Sequence, residues 1–210
     1  MSQMEEHSCP ATALTPSEWE EILELTHAAF AEHQARGLRM SPCSITLVEH
    51  QKFLESCQIF QIRHNGVLVA YKAGFVVHHK DSTYFQVRLT CVSPESKGKG
   101  LGKRVHRLLE DWAVNQGCRY LLTDTSCKAA GSRAYHHACG FEDWYYTHWR
   151  NTNYYSIVLR KELPEGRRMS RKLRYKSLIH SYISVHFRYR ENGQERRFYK
   201  WIKCLFRIKS

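Results

Sequence analysis

Between Val92 and the first turn of a later apolar pattern, glycine and basic residues alternate: Lys97-Gly98-Lys99-Gly100-Leu101-Gly102-Lys103-Arg104. Glycine bends into backbone conformations that other residues avoid and lets a ligand approach the main chain closely. The lysines add compact positive charge. Residues of this type at this spacing suit the binding of a phosphate or pyrophosphate by backbone N–H groups. A solvated basic turn has the same composition, so the flanking elements must decide. Thr83 to Val92 is rich in β-branched and aromatic residues, as a strand is. Val105, Leu108, Leu109, Trp112 and Ala113 fall at helical spacing. The run therefore predicts a strand, a glycine turn and a helix N-terminus, whose first amides have no acceptor inside the helix and carry partial positive charge. The pattern G-x-x-x-x-G-K-[ST] is absent, as is the full G-x-G-x-x-G with an acidic residue about 20 positions on.

A second cluster follows at Ala130-Gly131-Ser132-Arg133-Ala134-Tyr135-His136-His137-Ala138-Cys139-Gly140-Phe141. It comes after a strand candidate, Cys118 to Ser126, and Gly140 suits a helix C-cap. Together the two clusters resemble the GNAT superfamily of acetyl-CoA-dependent N-acyltransferases. The first resembles that family's coenzyme A loop, [Q/R]-x-x-G-x-[G/A], with Lys97 standing where Gln or Arg is usual. The second resembles its helix ending in Y-x-x-x-G-F. His136 here occupies the tyrosine slot, Tyr135 lies one residue earlier, and Ala129 and Ser132 take the preceding asparagine and alanine slots. The resemblance covers roughly residues 12 to 163. It implies an α+β fold, a mixed and mostly antiparallel central sheet flanked by helices.

The resemblance also implies roles. Acetyl-CoA is the expected cosubstrate, and an amine attacks its thioester directly in a ternary complex. The backbone of Cys91 and Val92 would hold the pantetheine arm. Lys97, Gly98, Lys99, Gly100, Leu101, Gly102 and Lys103 would surround the pyrophosphate. His136 is the first candidate to protonate the departing thiolate and Tyr135 the second, about 100° away around the helix. Asp124, near the end of its strand, is the candidate base. Phe30, Arg36, Arg39 and Met40, in the first helical region and its loop, are candidate acceptor contacts. Packing and solvation are the simpler roles for each of these four. The expected acceptor is the primary amine of an amino sugar, an amino acid or a lipid precursor. A non-catalytic CoA-binding adaptor is the alternative, given the changed residues at 97, 129 and 136.

Further elements complete the domain. Thr15-Pro16-Ser17-Glu18 is a capping box that opens a first helix with Trp19, Ile22, Leu23, Leu25, Ala29 and Phe30 on its apolar face. Leu47 to Leu54 reads as a second, short helix. Gln58 to Arg63 and Val67 to Val77 flank His64-Asn65-Gly66, a hairpin signal. Tyr146 to Tyr155 and Ser156 to Leu163 read as the closing strands. Eight cysteines without a C-x-x-C pair fit a reducing compartment, and neither they nor the histidine pairs form a metal-ligand pattern. With no long apolar run and no signal-peptide pattern, a cytoplasmic enzyme is expected.

Pro164-Glu165-Gly166 marks a boundary between a domain at 1–163 and an extension at 164–210. The extension holds 14 Lys and Arg against three Glu, a net +11 of the chain's +12. It also carries Leu178, Ile179, Tyr182, Ile183, His186 and Phe187 at helical spacing. After a turn at Glu191-Asn192-Gly193-Gln194 come Phe198, Trp201, Ile202, Leu205 and Phe206, with Arg196, Arg197, Lys200, Lys203 and Arg207 opposite. A hairpin about Asn192-Gly193 is the other conformation the pattern allows. Three roles fit this composition: peripheral contact with the inner face of a membrane, binding to an acidic partner such as an acyl carrier protein or RNA, and packing on the domain with the charges solvated.

Overall fold

A computed structural model describes residues 3–79, 82–166 and 168–206; Arg207 of the expected basic face lies outside them. Strands β1 (Met4–Pro10), β2 (Gln58–His64), β3 (Val67–His79), β4 (Ser82–Val92), β5 (Tyr120–Ser126), β6 (Glu142–Thr147) and β7 (Ser156–Glu162) form a seven-stranded sheet in the order β1-β2-β3-β4-β5-β7-β6. The helices are α1 (Pro16–Ala35), α2 (Leu47–Leu54), α3 (Leu101–Asn115), α4 (Ala130–Ala138), α5 (Arg171–Arg188) and α6 (Arg197–Phe206). The β4 to β5 pairing is parallel, and the other registered pairs are antiparallel. The chain divides into two compact units, Met1–Thr123 with Lys161–Arg167, and Asp124–Arg160 with Arg168–Ser210.

In the first unit the expected capping box starts α1. The Thr15 hydroxyl accepts the Glu18 N–H at 3.3 Å, and Glu18 accepts the Thr15 N–H at 2.8 Å. These hydrogen bonds hold the Glu18 carboxyl below its ordinary pKa. Thr46 and Glu49 start α2 the same way. Asn65 and Gly66 both have positive φ, 50° and 80°, as the two-residue turn between β2 and β3 requires. Trp19, Ile22 and Leu25 of α1 and Leu54 of α2 bury against Tyr71, Ala73, Leu89 and Cys91 of the sheet. On the opposite face, Phe60 and Phe85 meet Trp112 of α3 with ring centroids 5.7 Å apart in each pair. Lys72, wholly buried on that face, donates to Nδ1 of His106 at 3.2 Å, and Lys161 donates to Glu110 at 2.6 Å. Polar bonds as well as apolar area therefore fix α3.

Strand β4 changes face along its length. Ala73 pairs with Leu89 and Gly74 with Val87, so Arg88 is the extra residue of a β-bulge. Before it, Phe85 packs towards Trp112 of α3; beyond it, Leu89 and Cys91 belong to the core under α1. Tyr84, Phe85 and Gln86 pair with β5, opposite Tyr120, Leu121 and Leu122.

The second unit differs from expectation at one strand. The sequence suggests a strand over Tyr146 to Tyr155, whereas β6 is Glu142–Thr147 and starts directly after Gly140-Phe141. Asn151, at φ 70°, lies in the connection that follows. The basic extension forms α5 and α6 about a turn closed by the bridge between Tyr189 and Glu195, so helices and a short hairpin-like turn coexist.

Candidate active site

The end of β4 and the start of α3 supply the first part of the site. Ser93 N–H bonds to Val69 C=O at 2.9 Å across an antiparallel ladder in which Val69, Ala70 and Tyr71 face Ser93, Val92 and Cys91. Such a ladder alternates bonded and non-bonded pairs. Cys91 is therefore bonded to Tyr71, while the N–H and C=O of Val92 and of Thr90 point away from β3. Of the two expected pantetheine contacts, the geometry suits Val92 and commits the backbone of Cys91 elsewhere. The Cys91 side chain is buried as well, with its thiol pushed up to about 12 by burial. It lies by Tyr71, whose hydroxyl bonds that of Thr26.

Gly98 and Gly100 both have φ of 79°, and Gly100 is the N-cap of α3. At this φ any other residue is strained, and a Cβ at either glycine would meet nothing within 4 Å, so the main chain of the turn is bare. The first turn of α3 then presents its amide end with partial positive charge. Lys97 pairs with Glu32 at 2.9 Å, and Arg104 pairs with Glu6. Lys99 and Lys103 are exposed and have no ion-pair partner among the described residues. The bare turn, the helix start and the exposed Lys99 and Lys103 fit a pyrophosphate; Lys97 is engaged by Glu32.

A cleft of about 660 Å³ lies in the same unit, lined by Ser44, Glu49, Lys52, Phe53, Glu55 and Arg88 among others. The Arg88 guanidinium sits over the rings of Phe53 and Phe75, 4.6 and 4.9 Å from their centroids. Such stacking holds a cation in place without neutralising it. Of the expected acceptor contacts, Met40 is buried and directly precedes the 3₁₀ turn Ser41–Cys43 at the cleft's edge, while Arg39 is exposed. Phe30 packs half-buried against the core, its ring 5.8 Å from His33.

In the second unit, α4 ends as its sequence implies. Phe141 N–H reaches His136 C=O at 3.0 Å and Gly140 N–H reaches His137 C=O at 2.9 Å, a Schellman closure with Gly140 at φ 89°. His136 is only 4 % exposed, its ring against Tyr135 (5.1 Å) and Phe141 (5.4 Å). Burial, together with Cys139, raises the Tyr135 pKa, keeping its phenol protonated. Its neighbour His137 instead bonds Asp143 at 2.9 Å, and Arg133 pairs with the same carboxylate. Burial alone would raise Asp143, but these two partners more than offset it and its pKa is lowered. Asp124 retains exposed surface, yet the protein packed around its carboxyl pushes the pKa up, against opposing hydrogen bonds from Trp149 (2.9 Å) and Ser156.

Residues 19–141, from α1 to the close of α4, match the model of the acetyltransferase (GNAT) family. The chain belongs to the GNAT acetyltransferase family. Among its relatives is an aminoglycoside N(6')-acetyltransferase type 1 of Stenotrophomonas maltophilia, 35 % identical over 52 residues, a quarter of this chain. The chain spans only 34 % of that relative's length. A GNAT-family acetyltransferase structure from Desulfovibrio desulfuricans superposes with a TM-score of 0.58 at 14 % identity, over 76 % of this chain and 99 % of the other. One from Elizabethkingia anophelis with acetyl-CoA bound gives 0.55 at 16 %, over 76 % and 98 %. These likenesses concern the fold. Acetyl-CoA is the acyl donor of the GNAT family. Arg88, Phe53 and Glu49 are cleft residues that sequence reasoning did not single out; only the bulge brings Arg88 to them.

Proposed function

We propose that this GNAT protein transfers the acetyl group of acetyl-CoA to the primary amine of a small acceptor held in the cleft beside Arg88. The observation that carries the reading is the succession at the end of β4: outward backbone groups at Val92, then the bare Gly98 to Gly100 turn, then the amide end of α3. Val92 would align the pantetheine arm, the turn amides with Lys99 and Lys103 would neutralise the phosphates, and acetyl-CoA supplies the activated acyl group. The amine must be neutral to attack. Asp124, near the end of β5 and with its pKa raised, is assigned the role of base, directly or through water, on its sequence position and not on a placement against the cleft. By the family resemblance, His136 or else Tyr135 of α4 would protonate the departing thiolate. The cleft sets Arg88 and Lys52 beside Glu49 and Glu55, so an acceptor with both signs of charge, such as an amino acid, suits it better than a polycation.

Thiol release from acetyl-CoA, measured across amino acids, amino sugars and aminoglycosides, tests this. Turnover is expected with amino acids, and Arg88→Met is expected to raise KM on the order of tenfold with kcat little changed. A CoA-induced thermal shift with no turnover on any amine would favour the adaptor reading. The absence of both would exclude the glycine turn as a CoA site.

A further inference from the structure

We infer that the outward face of α5, continued by α6, docks on an anionic phospholipid surface. One side of α5 is anchored to β6. Arg174 pairs with Glu142, the Ser181 hydroxyl accepts the Tyr146 N–H at 2.9 Å, the rings of Tyr182 and Tyr146 lie 5.3 Å apart, and Val185 is buried. Among the described residues, the opposite side has no such sheet partner. Leu173, Ile179, Ile183 and Phe187 lie there, and α6 adds Phe198 and Trp201; all six are between 48 and 62 % exposed. Three of the six touch across the two helices, the Phe187 and Phe198 rings 5.9 Å apart and those of Phe198 and Trp201 6.2 Å apart. Six large apolar side chains open to water on adjoining helices mark an interaction surface.

Charge selects the occupant. Exposed Lys172, Lys176, Arg197 and Lys200 stand among the apolar residues, and 164–210 as a whole carries 14 basic residues against three acidic. A second copy of this chain would bring the same positive field against itself. Nucleic acid would be attracted by the charge, yet it offers nothing to Leu173, Ile179 and Ile183, which gain by leaving water. An anionic bilayer supplies both requirements, negative headgroups for the lysines and an acyl boundary for the aliphatic and aromatic side chains. No helix among the described residues is long and apolar enough to cross a membrane, so the contact is one of surface docking. This inference does not depend on which acceptor the cleft takes.

The test is sedimentation of the full-length protein with vesicles of phosphatidylglycerol in phosphatidylcholine, against phosphatidylcholine alone. Binding is expected to the anionic vesicles and to weaken with salt. Lys172→Glu and Lys176→Glu should each lower partitioning about fivefold or more. Ile183→Ser with Phe187→Ser should lower it on the order of tenfold per residue while the circular dichroism is unchanged. The inference is overturned by failure to sediment with anionic vesicles. It is equally overturned if the apolar variants bind as the parent does, or if nuclease-sensitive RNA occupies the patch and vesicles do not displace it.

Discussion

Helices α3 and α5 are both built from apolar and basic residues, yet their apolar residues meet opposite fates. Leu101, Val105, Leu109 and Ala113 of α3 are all buried, and its buried polar residue, His106, is met by Lys72. In α5 Val185 alone is fully buried, while Leu173, Ile179, Ile183 and Phe187 face water. In α3 the apolar stripe occupies one side and the charges the other, so a sheet can cover it. Along α5, aliphatic residues occur on both sides, and one covering surface cannot reach them all. The comparison teaches that a basic amphipathic helix can be locked onto a sheet, with the turn before it, or can keep part of its apolar surface open to water. Which role it takes depends on how its apolar residues divide around the axis.

Substitution should break this contrast most visibly in the core. Leu109→Ala is expected to cost ~2–5 kcal/mol, because a wholly buried side chain leaves a cavity. Ile183→Ala in α5 should stay within about 0.5 kcal/mol. Paired denaturant titrations measure both, and equal losses would mean that α5 is covered after all. The second largest effect is a pH dependence of the α1 core, which shares with α3 the burial that α5 lacks. His50, packed beneath α1, has its pKa lowered to about 4 by burial and by His27. Folded His50 stays neutral where the unfolded residue binds a proton, so stability is greatest above pH ~6.5 and falls as pH drops towards 4, by up to ~3 kcal/mol. His50→Gln should flatten that dependence in thermal melts. Smallest is Gly100→Ala, which places a Cβ at φ 79°. It should cost ~1–2 kcal/mol and diminish the thermal shift induced by CoA; a full CoA shift would separate the turn's backbone from binding.

Elements whose signal is local were legible in the chain itself. Thr15 and Glu18 mark the start of α1 because the capping bonds run between residues three apart. The glycine turn was legible for the same reason, since all its parts are contiguous. β1 has no local strand signal: Met4-Glu5-Glu6-His7-Ser8-Cys9-Pro10 has little apolar alternation, and its partner β2 lies about fifty to sixty residues further along the chain. The bounds of β6 are not legible because aromatic residues continue beyond Thr147, where the chain has already left the ladder. Likewise the cleft depends on Arg88 meeting Phe53 and Phe75, a juxtaposition no spacing rule reveals.

The bulge at Arg88 has a consequence for how this protein can vary. Phe85, Val87, Leu89 and Cys91 alternate without interruption along the chain, yet they serve two faces of the sheet because one residue shifts the frame between them. β4 thus resembles text with a built-in frameshift: its letters can change, but its length cannot. Deleting Arg88, or adding a residue beside it, would turn Leu89 and Cys91 to the wrong side and re-aim the amide of Val92, although every surviving side chain kept its identity. Among natural relatives, point substitutions should be common in this strand and single-residue insertions or deletions rare.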